Sequence, residues 1–109
     1  GSYTKTNARY VSSENIDGVV VTDRDSKEST LLFVREGFSS SETVDLSQLD
    51  AFGETLAIGL KPNEYYKLTS TSSSIRIEES NSGIEGVYET SENGVLYTGE
   101  AQADSMCLG

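Results

Sequence analysis

Histidine is absent from this chain and cysteine occurs once, at Cys107. Any acid–base chemistry therefore falls to carboxylates, lysines and tyrosines. Serine–histidine–aspartate and cysteine–histidine catalysis both need an imidazole to take the nucleophile's proton. A histidine-ligated zinc or iron site fails for the same reason. Paired carboxylates occur as Glu78-Glu79 and as Asp23 with Asp25. Neighbours on a strand point to opposite faces, so Glu78 and Glu79 do not converge on one substrate. The chain also lacks a tryptophan to line the cleft a glycosidase needs. The expectation is no enzyme, with a small carboxylate-dependent enzyme kept as the third reading.

Asp23, Asp25 and Glu28 are the residues nearest to a metal-ligand pattern, since oxygen ligands crowded into a loop suit a hard cation such as calcium. The spacing departs from the twelve-residue calcium loop. With Asp23 first, its glycine falls on Glu28 and its closing glutamate on Val34. Arg24 and Lys27 offset the charge, and a solvated hairpin tip is the better reading. No glycine-rich loop is followed by the lysine and helix of a phosphate cradle, so no cofactor is expected.

Six tyrosines supply large rings with a polar handle, and most are expected to cover the core. Tyr65-Tyr66 is the exception, because on a strand one ring of the pair must face out. With Lys61, Lys67 and Arg76 it forms the basic-aromatic patch where a binding face is first sought.

The elements that must position these residues are strands. Val19-Val20-Val21 and Leu31-Leu32-Phe33-Val34 are dense apolar runs that read as buried strands, and the polar Thr22–Thr30 connector lets them pair as an antiparallel hairpin. Thr43-Val44-Asp45-Leu46 fits an edge strand. Ser47 to Gly53 is helix-like: Ser47 with Asp50 resembles a capping box, Gly53 is placed to end the turn, and Leu49 and Phe52 would pack it onto the sheet. Thr55 to Leu60 alternates with period two and is expected to turn Leu56, Ile58 and Leu60 inward. Pro62-Asn63 turns the chain into a strand over Glu64–Thr69. Thr69 to Ser74 is all hydroxyl residues and reads as a loop or the frayed end of a hairpin, the loop being preferred. Ile75 and Ile77 alternate inward. Ser91-Glu92-Asn93-Gly94, between two β-prone runs, is the strongest hairpin signal. Seven to nine short antiparallel strands and one helical turn make an all-β domain, a small sandwich or partly closed barrel.

The expected organisation is a polar arm over 1–15, with a possible strand near Arg9-Tyr10-Val11, a single β domain over 16–99 and a tail over 100–109. Gly1-Ser2 reads as a cloning scar, which suggests a piece cut from a longer protein. No apolar run approaches the ~20 residues that cross a bilayer, so no membrane insertion is expected. With one cysteine there is no intramolecular disulfide, and Cys107 reads as an incidental thiol. The net charge of −10 is uneven: residues 78–109 carry seven acids and no base. Such a surface repels phosphate, so nucleic acid is not an expected partner. A basic protein surface would be complementary.

Gly18 to Val44, with its β-run, polar connector, Thr30-Leu31-x-Phe33, then Gly37-x-hydrophobic and a later valine, is similar in pattern to part of the small head-decoration proteins of lambdoid phages. Those are β-rich trimers that clamp capsid subunits together. The resemblance covers about a quarter of the chain, and the last fifty residues show no matching pattern. It implies a virion component of the capsid-decoration or tail type that oligomerises through edge strands or its N-terminal arm, which is the second functional reading. The leading one is a non-catalytic binding or assembly module, a domain of a larger surface or extracellular protein. Its partner is another protein or a second copy. A small-molecule ligand is left open, and an extracellular surface or virion location is favoured over the cytoplasm.

Overall fold

A computed structural model describes residues 7–22, 27–47 and 52–99. Among them the chain forms nine strands and no helix: β1 Asn7–Ser12, β2 Ile16–Thr22, β3 Glu28–Val34, β4 Ser41–Asp45, β5 Phe52–Ile58, β6 Tyr65–Ser70, β7 Ser74–Glu79, β8 Val87–Glu89 and β9 Leu96–Tyr97. They assort into two sheets, ordered β1-β2-β3-β5-β9 and β4-β7-β6-β8. Side chains from both make one core, so the fold is the all-β sandwich expected.

The two apolar runs pair as expected, antiparallel, with Val19 opposite Leu31. The pairing of β3 with β5 is parallel, against the antiparallel expectation, because the chain crosses to the other sheet as β4 before returning. β1, the strand anticipated near Arg9-Tyr10-Val11, edges the five-stranded sheet along β2.

Inside, the row Val11–Gly18–Leu32–Ala57–Leu96 runs across all five strands of the first sheet. It alternates small with large, so that Leu32 fills the space above Gly18 and Ala57 where the opposing sheet closes in. The second sheet answers with Val44, Tyr66, Ile75 and Ile77, all nearly fully buried. Burying a side chain such as Leu32 or Ile77 contributes about 1.5–3 kcal/mol.

Local chemistry redirects three of the sequence expectations. Ser47 sits at φ 69°, its amide donates to Asp45 Oδ1, and Phe52 and Gly53 already belong to β5. A helix N-cap needs extended backbone and a helix-ending glycine needs a helix before it, so neither end of the expected helical turn is helical. Gln48 to Ala51, Leu49 included, lie outside the described residues, as does the Phe52 side chain. The hydroxyl run divides evenly between strand and loop: Thr69 and Ser70 end β6, Ser74 begins β7, and Thr71 to Ser73 form the tip of that hairpin, where the Thr71 hydroxyl accepts the Ser73 and Ser74 amides. The Ser91–Gly94 turn closes locally, with Gly94 N donating to Ser91 O and Ser91 N to Val95 O. Gly94 takes positive φ but Asn93 does not, whereas a two-residue Asn-Gly hairpin needs both. The strands then part: β8 joins β6 and β9 joins β5, so the expected hairpin is instead a bridge between sheets.

Two polar ties hold the sandwich ends. The Glu42 carboxylate on β4 accepts the Ser13 hydroxyl, the Asn15 amide and Asn15 Nδ2 from the β1–β2 turn. Burial alone would raise its pKa, but these hydrogen bonds and nearby Arg35 outweigh that and hold the carboxyl below its ordinary value. Opposite, Arg9 Nη1 pairs with buried Glu28 at 3.2 Å, and Nη2 donates to Leu46 O.

Candidate functional site

The basic-aromatic residues divide between faces. Tyr66 points inward and is 1% exposed. Its hydroxyl accepts the Lys61 amide and its ring lies 6.4 Å from that of Phe38, so it belongs to the core and not to a surface patch. Tyr65, Lys67 and Arg76 fall on the outward face of the second sheet, but their charges are answered there. Arg76 lies 3.6 Å from Glu78 and donates to Thr43 and Ser41, while Lys67 sits directly opposite Glu78 across the β6–β7 pair. Lys61 is at the sheet's end with its ammonium 3.1 Å from Glu79; that hydrogen bond and the carboxylate's charge raise its pKa. The structure thus brings three of the five residues together in a mixed-charge surface.

Of the metal-ligand residues, Asp23 and Asp25 lie outside the described residues, and Glu28 points inward to Arg9. Among the described residues no group of three acids, histidines or cysteines is placed to hold an ion. Cys107 also lies outside them.

The conspicuous surface is one that the sequence reading assigned to the core. Leu56 and Ile58 face outward from β5, and the buried positions are Thr55 and Ala57. Leu60 does turn in, because Gly59 at φ 93° breaks the alternation. A side chain at Gly59 would also meet the Val34 carbonyl, since its Cβ would stand 2.2 Å from that oxygen. The dense runs are likewise buried on one side only: Val19, Val21 and Leu31 are half-buried and Phe33 is 42% exposed.

Strand register then lines these residues up. Tyr10 is opposite Val19, Val19 opposite Leu31, Leu31 level with Leu56, and Leu56 opposite Tyr97. The result is one apolar row across the outward face of all five strands. Phe33 and Ile58 flank it on one side and Val21 on the other. Tyr10, Phe33 and Tyr97 are also three of the exposed large hydrophobic side chains among the described residues.

Within that face lies a shallow groove of about 200 Å³, walled by Val21, Leu31 and Leu56 and closed at one end by Glu54 and Tyr97. The Tyr97 hydroxyl donates to Glu54 Oε1, so the phenol and the carboxylate stand together at that end of the groove. Two other depressions are more polar or lie at the sandwich ends, one of about 240 Å³ beside Glu28 and Thr55 and one of about 300 Å³ beside Phe38 and Pro62. The signal that could have revealed the row was in the sequence: apolar runs without alternation, where a sheet facing water on one side should alternate.

Comparison of the chain with protein-family models, with curated proteins and with solved structures yields no match.

Proposed function

We propose that this protein is a non-catalytic binding or assembly module that docks on a protein partner through the outward face of its five-stranded sheet. The observation that carries this reading is the row Tyr10–Val19–Leu31–Leu56–Tyr97. In a chain of net charge −10 the polar residues are ample to cover a surface, yet this face is left apolar. At ~4.8 Å between strands and ~3.3 Å per residue, the face spans roughly 400 Å², the size of the largest apolar patch on a monomer, which is often a functional one.

A random peptide library selected on the immobilised protein tests the reading. Selected peptides are expected to lose binding to Leu31→Asp and Leu56→Asp variants and to keep it on a Thr43→Asp variant of the opposite sheet. Both sets of substitutions sit at outward positions, and circular dichroism checks that the fold is kept. Peptides that bind all three variants alike would move the docking site elsewhere.

A further inference from the structure

Resting on that docking face, we infer that its groove receives a lysine or arginine side chain from a basic protein segment. The groove combines an apolar floor with a carboxylate at one end. Val21, Leu31 and Leu56 offer an apolar channel for the aliphatic stem, and long cationic side chains readily lay their methylenes on apolar surface. At the end stand a carboxylate and a phenol ring. Glu54 has no cationic partner among the described residues, and one carboxylate oxygen, Oε2, has no hydrogen-bond partner there either; Oε1 accepts the Tyr97 hydroxyl. An ammonium or guanidinium arriving at that end meets the Glu54 carboxylate, which attracts a cation.

Charge and area favour this occupant over a second copy of the chain. Two copies would stack about 400 Å² each, roughly 800 Å² in all and below the ~1,000 Å² that marks a specific interface. They would also bring together two molecules each of net charge −10, which like-charge repulsion opposes. A basic segment gains from the same charge. Among the described residues the other carboxylate on this face, Asp17, is already paired with Arg35 at 3.2 Å, which leaves Glu54 among them as the acceptor for the incoming cation.

The test uses two probes of equal length on the isotope-labelled protein, hexylammonium and hexanol, followed by amide chemical shifts. Hexylammonium is expected to shift the amides around Leu31, Leu56 and Tyr97 and to bind about threefold to fivefold tighter than hexanol. Glu54→Gln should erase that preference while leaving hexanol binding unchanged. A circular dichroism spectrum and melting temperature of Glu54→Gln that match wild type guard against an effect of the substitution on folding. Equal binding of the two probes would overturn the inference and leave an apolar docking face standing. Shifts by neither probe in the groove would overturn the inference together with the docking reading beneath it. A concentration-dependent dimer in light scattering, broken by Leu56→Asp, would replace the basic segment with a second copy.

Discussion

On the outward face of the β4-β7-β6-β8 sheet, register places Thr43 beside Arg76 beside Thr69, and Ser41 beside Glu78 beside Lys67. On the outward face of the five-stranded sheet the matching position holds Tyr10, Val19, Leu31, Leu56 and Tyr97. Both faces arise from the same two-residue alternation over the same core. The second sheet uses it in the ordinary way of a sheet with one wet side, with cations and carboxylates on neighbouring strands. The first uses it to display apolar side chains as large as or larger than those it buries. Across neighbouring positions Leu31 faces out and Leu32 in, Leu56 out and Ala57 in, Val19 out and Gly18 in. The inner row is limited by the opposing sheet and must alternate small with large, whereas the outer row has no such limit in the isolated chain. Size at a β position here reports the space available, not the direction of the core.

The sharpest way to break this comparison is a pair of neighbouring truncations. Leu32→Ala should cost about 3 kcal/mol in urea unfolding, because it opens a cavity in a closed core. Leu31→Ala should cost less, about 1–2 kcal/mol, because its side chain keeps part of its surface in water. Equal losses at the two positions would mean that the outward face is covered in the folded protein.

Glu42 comes next in size, since it ties the second sheet to the β1–β2 turn. Glu42→Gln should destabilise by about 1–2 kcal/mol at neutral pH, the worth of hydrogen bonds to a charged group. The folded carboxyl is held below its ordinary value, so its contribution is complete above the unfolded-state pKa and fades as pH falls through the folded one. The gap in melting temperature between wild type and variant should therefore be widest near neutrality and close in acid. A gap that widened on acidification would reverse the assigned sign.

Tyr66→Phe removes the acceptor of the Lys61 amide and should cost about 1 kcal/mol, while Tyr65→Phe on the outward side should leave thermal stability unchanged. Smallest of all, Lys67→Ala and Arg76→Ala should each fall within about 0.5 kcal/mol of wild type, as exposed ion pairs do. A larger loss at Arg76 would give the mixed-charge surface a structural role like that of the Glu42 tie.

The strands were largely legible in advance. Val19–Val21, Leu31–Val34, Thr43–Leu46 and Ile75–Ile77 carry β-branched or large apolar residues between turn formers, and each lies within a strand but for Leu46, which follows β4. Within β7 even the inward side was plain, because Ile75 and Ile77 alternate with Arg76 and Glu78. The basic-aromatic patch was legible only in half: that one tyrosine of the pair faces out follows from strand geometry, but which one does not. In β5 the same reasoning selected the wrong side, since Leu56 and Ile58 alternate as cleanly as a buried face would.

The sequence by itself determined that this is an all-β domain, where most of its strands run, and which catalytic machinery its missing histidine excludes, because these depend on residue identity and near-neighbour pattern. Only the tertiary structure decided that β3 lies parallel to β5, that the Asn-Gly turn bridges two sheets, and that five apolar residues from distant parts of the chain stand in one outward row. Alternation is a local property with two equivalent faces. The choice between them is made by partners many residues away, through the register of β3 with β5 and the left-handed turn at Gly59.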